Sequence, residues 1–239
     1  MSQWNNHGYD IAKSLAHKFD LISPVWFQVV SSPNGCQING VHDLDQGWIS
    51  DIRRNNSLIK IVPRFVFEKW DFSNFRILLS DENFQNRCIT SVLDFMQRNR
   101  FDGAVIEGIF QIHWMLFGET TKSVLMMLWN IAEQLKSRHM LSVLVVPASL
   151  NEYNVVSQYF TPQHYRQLVP YFDYFSVMLY DFPSPKVTPV APLYWVKASV
   201  ELLINEMPNS TKKILMGLNF YGYDYDLSRG DFVAVVGAR

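Results

Sequence analysis

The chain has 239 residues, enough for one large domain or two small ones, and 48% hydrophobic against 18% charged residues supplies a globular core. Its 21 Lys and Arg against 22 Asp and Glu leave a formal charge of −1, which gives no electrostatic case for nucleic acid or an anionic membrane. No apolar run is long enough to span a bilayer, and no signal peptide is read ahead of Trp4.

Asp10 reads as the cap of a first helix, with Ile11, Leu15 and Phe19 recurring along one face. Apolar runs at Phe19–Val30, Leu58–Phe67, Phe101–Ile109, Leu141–Pro147, Tyr174–Tyr180 and Lys213–Tyr221 predict six buried strands. Ile89, Val92, Leu93 and Met96 form a helical stripe between the second and third of these. Val124, Leu125, Leu128, Ile131 and Leu135 form another, and Thr161-Pro162 marks a helix start because Thr caps and Pro fits the first turn. Leu193, Val196, Val200, Leu203 and Ile204 make the last amphipathic face. The loop Asp181–Pro192, with four prolines, reads as a surface excursion.

Strands alternating with helices predict parallel βαβ units, at a repeat of ~30–45 residues, the size of one such unit. No linker divides the chain, so a single domain over residues 1–239 is expected. Cys36 and Cys88 fit neither a metal motif nor a dense disulfide framework, and are read as two small thiols, with a single bridge as the alternative. The six His residues lack zinc-site spacing, and no Walker loop, dinucleotide fingerprint or Gly-x-Ser-x-Gly elbow is present, so no cofactor or metal is expected. Arg53-Arg54 reads as a solvated helix face. Asn55-Asn56-Ser57 and Asn209-Ser210-Thr211 fit the N-glycosylation pattern, which needs a secretory context to matter.

Phe101-Asp102-Gly103-Ala104-Val105-Ile106-Glu107-Gly108-Ile109 carries the chemistry. It resembles the Phe-Asp-Gly-x-Asp-x-Asp-x-Glu signature of the family-18 glycoside hydrolases, the chitinases and chitinase-like lectins. Phe101, Asp102 and Gly103 match in place. Val105 and Glu107 stand at the second and third acidic positions, and Ile109 at the proton-donating Glu. Residues 105, 107 and 109 share one strand face, so Glu107 lies ~6–7 Å deeper than position 109. A general acid must reach the leaving oxygen, and that offset is large. A β-bulge would be needed to bring Glu107 to the mouth. In this family the substrate's own acetamido group attacks, outside the usual two-carboxylate scheme.

Met178-Leu179-Tyr180-Asp181 is similar to the family's Met-x-Tyr-Asp, whose Tyr and Asp contact the acetamido sugar, and Gly217-Leu218-Asn219-Phe220-Tyr221-Gly222 to its Gly-x-x-x-Tyr-Gly. The resemblance implies a (β/α)8 TIM-barrel fold with strands two to seven visible. Met1–Tyr9 would be the tail of strand one and its following loop, and strand eight would lie beyond Arg239. An incomplete barrel would leave two apolar sheet edges, either in a fragment or covered by a partner. Trp4-Asn5-Asn6-His7-Gly8-Tyr9-Asp10, Ile22-Ser23-Pro24-Val25-Trp26 and Asp45-Gln46-Gly47-Trp48 resemble the chitinase-domain-containing, stabilin-interacting group.

That likeness implies a lysosomal or extracellular binder of chitooligosaccharide or a related glycan, with a scavenger-receptor partner. The expected function is binding without hydrolysis. Tyr180, Asp181, Glu107, Met178, Asn219, Tyr221 and Glu68 would supply contacts, with Trp4 and Trp26 as stacking platforms. Trp48, Trp70, Trp114, Trp129 and Trp195 are read as packing residues. Glu107 is read as an interior carboxylate hydrogen-bonded to neighbours such as Tyr180 and Asp181, and Asp102 as fixing the start of its strand. The alternatives are a weak hydrolase using Glu107 as acid and Asp181 to orient the acetamide, or a chain with no autonomous function.

Overall fold

The computed structural model describes residues 7–108, 121–184 and 186–236, and contacts gather the chain into two units, Met1–Leu144 and Val145–Arg239. Each is taken by itself.

In the first unit, His7–Ser14 is a helix, α1, with Asp10 inside it, so Asp10 is not its cap. A 3-10 turn over Ala16–Lys18 follows, and Phe19 has already become extended, which takes it off the expected stripe. His7–Tyr9 is therefore helical and not strand tail or loop. Residues 1–6 lie outside the described residues.

Prolines divide the first two apolar runs. Phe19–Val30 yields β1 (Leu21–Ile22) and β2 (Phe27–Ser32) on either side of Pro24. Leu58–Phe67 yields β4 (Lys60–Ile61) and β5 (Arg64–Phe67) on either side of Pro63. Proline has no N–H to give to a ladder, yet its carbonyl still accepts: Arg64 N donates to Pro24 O at 3.0 Å and Val105 N to Pro63 O at 2.9 Å. Beyond β2 the chain reverses over Pro33-Asn34 into β3 (Gly35–Asn39), an antiparallel hairpin. Helix α2 (Gln46–Asn55) starts on Asp45, whose side chain accepts from Trp48 N.

Helix α3 (Phe72–Ser80) and helix α4 (Glu82–Arg98) are capped in the same manner by Asp71 and Asp81. The chain then forms β6 (Gly103–Glu107), α5 (Thr121–Ser137) and β7 (Leu141–Pro147), the last running across the division between the units. The strand order is β3-β2-β5-β6-β7, parallel except for the hairpin.

Val29, Phe65, Ala104 and Ile106 face Leu93 and Met96 of α4 and Met127 and Leu135 of α5, forming the core on that side of the sheet. Strand alternation puts Gln28, Arg64, Val66, Val105 and Glu107 on the opposite side. Gly103 is needed where β6 meets β7, since a Cβ there would lie 2.2 Å from Leu141 O. A disulfide joins Cys36 on β3 to Cys88 on α4, so the two are bonded and not separate thiols. Arg53 is likewise more than a solvated face: its Nη2 lies 3.1 Å from Asp102 Oδ2 and donates to Arg100 O at 2.6 Å.

In the second unit, helix α6 (Pro162–Leu168) begins on Thr161 with a capping box and Pro at its first turn. Strand β8 (Tyr174–Met178) precedes the proline loop, helix α7 (Leu193–Glu206) follows it, and β9 (Ile214–Met216) pairs parallel with β8. A hairpin of β10 (Gly222–Asp226) and β11 (Asp231–Val235) lies beyond β9. No described helix is long and apolar enough to cross a membrane.

Candidate functional site

Asp102 stands at the start of β6, where its Oδ2 accepts from Ile61 N at 2.9 Å and lies beside Arg53, with Lys60 Nζ 3.4 Å from Oδ1. These bonds fix the beginning of the strand, at the end away from Glu107. Register then advances one residue at a time, with Arg64, Phe65 and Val66 opposite Val105, Ile106 and Glu107. No bulge displaces Glu107 within the described strand. Its Oε2 lies 3.2 Å from Arg64 Nη1, a diagonal cross-strand pair on the face away from the helices. The guanidinium is the partner the structure gives Glu107. Ile109, the residue at the family's donor position, lies outside the described residues.

At the carboxyl end of β8 the second unit builds a cluster. Phe175, Val177 and Leu179 are buried, which turns Met178 and Tyr180 to the other, half-buried face. Tyr180 crosses the Tyr221 ring edge-on at 6.4 Å. Gly217 makes this approach possible, since a Cβ would sit 2.9 Å from Tyr180 Cε1 and 2.6 Å from Val177 O.

The chain then turns at Asp181, whose φ of 55 is left-handed, a conformation costly for most residues and tolerated best by Asn and Asp. Two phenols hold it there: the Tyr221 and Tyr223 hydroxyls both donate to Oδ1. Asp181 is exposed, and its Oδ2 accepts from no described residue. Burial, then the bond to Asp181, pushes the Tyr221 hydroxyl well above the ordinary tyrosine range. The bond to Asp181, then burial, raises Tyr223. Both phenols therefore stay protonated donors through neutral pH.

Tyr223 is a site residue that the apolar pattern did not reveal. It arrives on the β10–β11 hairpin, where it shares one face with Tyr225 and Phe232, its ring 4.9 Å from Phe232 and 6.1 Å from Tyr225. The available signals were the strict Tyr-Asp-Tyr-Asp alternation and the Asp226–Gly230 turn, in which Asp226 Oδ1 accepts from Ser228 and Arg229 N–H groups. Between this hairpin and the proline loop lies a groove of about 470 Å³, lined by Asp181, Phe182, Lys186, Tyr223, Tyr225 and Phe232 among others. Asn219 donates one N–H of Nδ2 to Tyr221 O at 2.7 Å, which leaves its amide oxygen and one N–H for a ligand.

The tryptophans divide differently. Trp26 is 2% exposed, stacked on Tyr9 and crossed edge-on by Trp48 and Phe27, at the amino end of β2. It is a packing residue and offers no face to a sugar. Trp48, Trp70 and Trp195 are buried with their Nε1 groups donating to Tyr9 O, Val29 O and Leu150 O. Trp129 is half-buried on α5. Glu68 is exposed just past the carboxyl end of β5. Trp4 and Trp114 lie outside the described residues.

Parallel strands joined through helices, with carboxylates and phenols at their carboxyl ends, define an α/β protein of the TIM-barrel type. Residues 5–233 match the model for the glycosyl hydrolases family 18, and the chain belongs to that family. It is 26% identical over 181 residues to the cortical fragment-lytic enzyme of Bacillus cereus, covering 70% of this chain and 39% of that protein. It is 29% identical over 103 residues to the uncharacterized glycosylase YvbX of Bacillus subtilis, covering 42% and 29%. The chain thus spans less than half of these curated relatives.

Among solved structures, a Chromobacterium violaceum chitinase superposes with a TM-score of 0.70 at 18% identity, over 93% of this chain and 67% of that one. The Group IV chitinase of Ostrinia furnacalis gives 0.72 at 17% identity, over 87% and 60%. The spore cortex-lytic enzyme SleL of Bacillus megaterium gives 0.70 at 15%, over 94% and 49%. At these identities the likeness is one of fold.

Proposed function

We propose that this chain is a family-18 carbohydrate-binding protein that holds a chitooligosaccharide or a related glycan without cleaving it. The observation that carries this reading is the Arg64–Glu107 pair. A general acid must be aimed at the leaving oxygen, whereas the Glu107 carboxyl group lies against the Arg64 guanidinium. With Ile at position 109 by sequence, the motif offers no other donor.

Binding is assigned to the second unit, where Asp181 is held by two phenols beside an aromatic-lined groove. Amphipathic rings of this kind bury the apolar face of a sugar, while Oδ2 of Asp181 accepts from its amide or hydroxyl groups. The second reading is a weak glycoside hydrolase, favoured by the lytic enzyme and glycosylase among the relatives.

Thermal unfolding with and without N-acetylglucosamine tetramer, followed by chromatography of the sugar, tests both. A ligand bound only by the folded chain adds ~2.7 kcal/mol of stability at a hundredfold excess over its dissociation constant. A raised midpoint with the tetramer intact supports the binder. Shorter sugars that disappear in Glu107→Gln support the hydrolase, and no shift at all removes the assignment of the groove.

A further inference from the structure

Two Asn-x-Ser/Thr triplets play no part in sugar binding, and the fold treats them differently. Asn55 is in the last turn of α2, and its Nδ2, the atom that would bear a glycan, donates to Lys13 O at 2.9 Å. Its neighbour Asn56 is tied just as closely, through Nδ2 to Ala16 O and Phe19 O and through Oδ1 to Leu58 N. A sugar on Asn55 would have to break into that seam.

Asn209 is the opposite case. It is exposed in the 3-10 segment Pro208–Lys213, and its amide bonds to no described residue. The turn beneath it is firm. Ser210 is buried, donates to Met207 O at 2.7 Å and meets the Tyr165 hydroxyl at 2.9 Å, while Thr211 Oγ1 donates to Pro208 O at 2.8 Å. Asn209 therefore projects its nitrogen into solvent from a fixed base.

A second observation supplies the compartment. Cys36 and Cys88 are bonded, and disulfides persist in oxidising compartments, where Asn-x-Ser/Thr also receives its glycan. We propose that the protein matures in a secretory pathway and carries an N-linked glycan on Asn209 and none on Asn55. The segment precedes β9, whereas Asp181, Tyr221 and the groove follow β8 and β9, so a glycan there stands at the opposite ends of those strands from the groove.

The test is the full chain exported by cultured eukaryotic cells behind a secretion leader. Its mass is measured before and after peptide N-glycosidase F, which leaves Asp in place of each glycosylated Asn. The expected result is one glycan, with the Asp mark in the peptide spanning 209 and an unmarked peptide spanning 55. Asn209→Gln then abolishes the mass change, Asn55→Gln preserves it, and enzymatic removal of the glycan leaves tetramer binding unaltered. Thr211→Ala keeps Asn209 but destroys the acceptor pattern, and it too should abolish the change. An unshifted secreted chain, a mark on Asn55, or a glycan surviving Thr211→Ala overturns the proposal. None of the mass and peptide results depends on whether the groove binds sugar.

Discussion

Arg64 and Glu107 are diagonal neighbours on adjacent parallel strands, two residues offset in register, and their charged ends meet at 3.2 Å on the sheet face opposite the helices. Each side chain is about a third exposed or less, at 33% and 29%. Water therefore screens the pair in part, while leaving either charge alone there still costs energy.

Removing one partner of a fully buried pair costs about 3–5 kcal/mol. With this exposure, Arg64→Met or Glu107→Gln should each destabilise by roughly 1–2 kcal/mol. At about 2–4 °C per kcal/mol for a chain of this size, the midpoint should fall by several degrees. The double variant should lose less than the sum of the two, and a double-mutant cycle in urea reads that coupling. Simple additivity would mean that the pair is not formed in solution.

Asp181 offers a separation of backbone from side chain. Its left-handed φ favours Asn among replacements, and an Asn oxygen still accepts from both phenols. Asp181→Asn should therefore keep nearly the whole stability. Asp181→Ala leaves both phenols without their acceptor and loses the polar side chain that eases the left-handed turn, a cost of about 1 kcal/mol. Titration with N-acetylglucosamine tetramer should show weaker binding for Ala than for Asn, with both variants folded. Equal affinity in the two and in the parent chain would remove Asp181 from the site.

The same cluster makes a pH prediction. Tyr221 and Tyr223 have folded-state values above the ordinary value of about 10. Above that pH the unfolded chain releases phenolic protons that the folded chain retains, so unfolding is favoured. The stability they contribute is present in full below about pH 10 and lost as pH rises toward the folded values. Tyr221→Phe should flatten the decline of the urea midpoint between neutral and strongly alkaline pH. An unchanged slope would show that neither burial nor the Asp181 contact holds the proton.

Much of this was legible because apolar runs report burial directly. Gly103–Glu107 and Leu141–Pro147 read as strands since both of their faces are largely covered, Tyr174–Met178 because Phe175 and Val177 bury one face, and Thr161-Pro162 announced α6 through capping chemistry alone. What stayed hidden was set by single atoms or by partners distant in sequence. Pro24 and Pro63 split strands without interrupting the apolar pattern. The β2–β3 hairpin sets Cys36 beside Cys88 only through α4, some fifty residues on. Trp26 looked like a platform because composition cannot distinguish a ring over a groove from one stacked beneath Tyr9. The guanidinium opposite Glu107 follows only from the register of β5 against β6.

The Cys36–Cys88 bond closes a loop over a sequence separation of 52 and ties the β2–β3 hairpin to α4. Chain-entropy arguments give about 4 kcal/mol for a loop of that length, and measured values run to roughly 2–4 kcal/mol. Cys36→Ser with Cys88→Ser should therefore lower the unfolding free energy by roughly that amount, with the m-value increased because the unfolded chain is no longer cross-linked. Arg87, beside Cys88, also donates through Nε to Asn34 O at 3.1 Å, so the hairpin keeps one polar tie to α4 when the bond is gone. The double variant should accordingly stay folded and bind the tetramer, since Asp181 and the groove belong to the second unit. Dithiothreitol should produce the same fall in the parent chain and none in the variant. A parent chain indifferent to reductant, with two titratable thiols after denaturation, would show that the bond does not form.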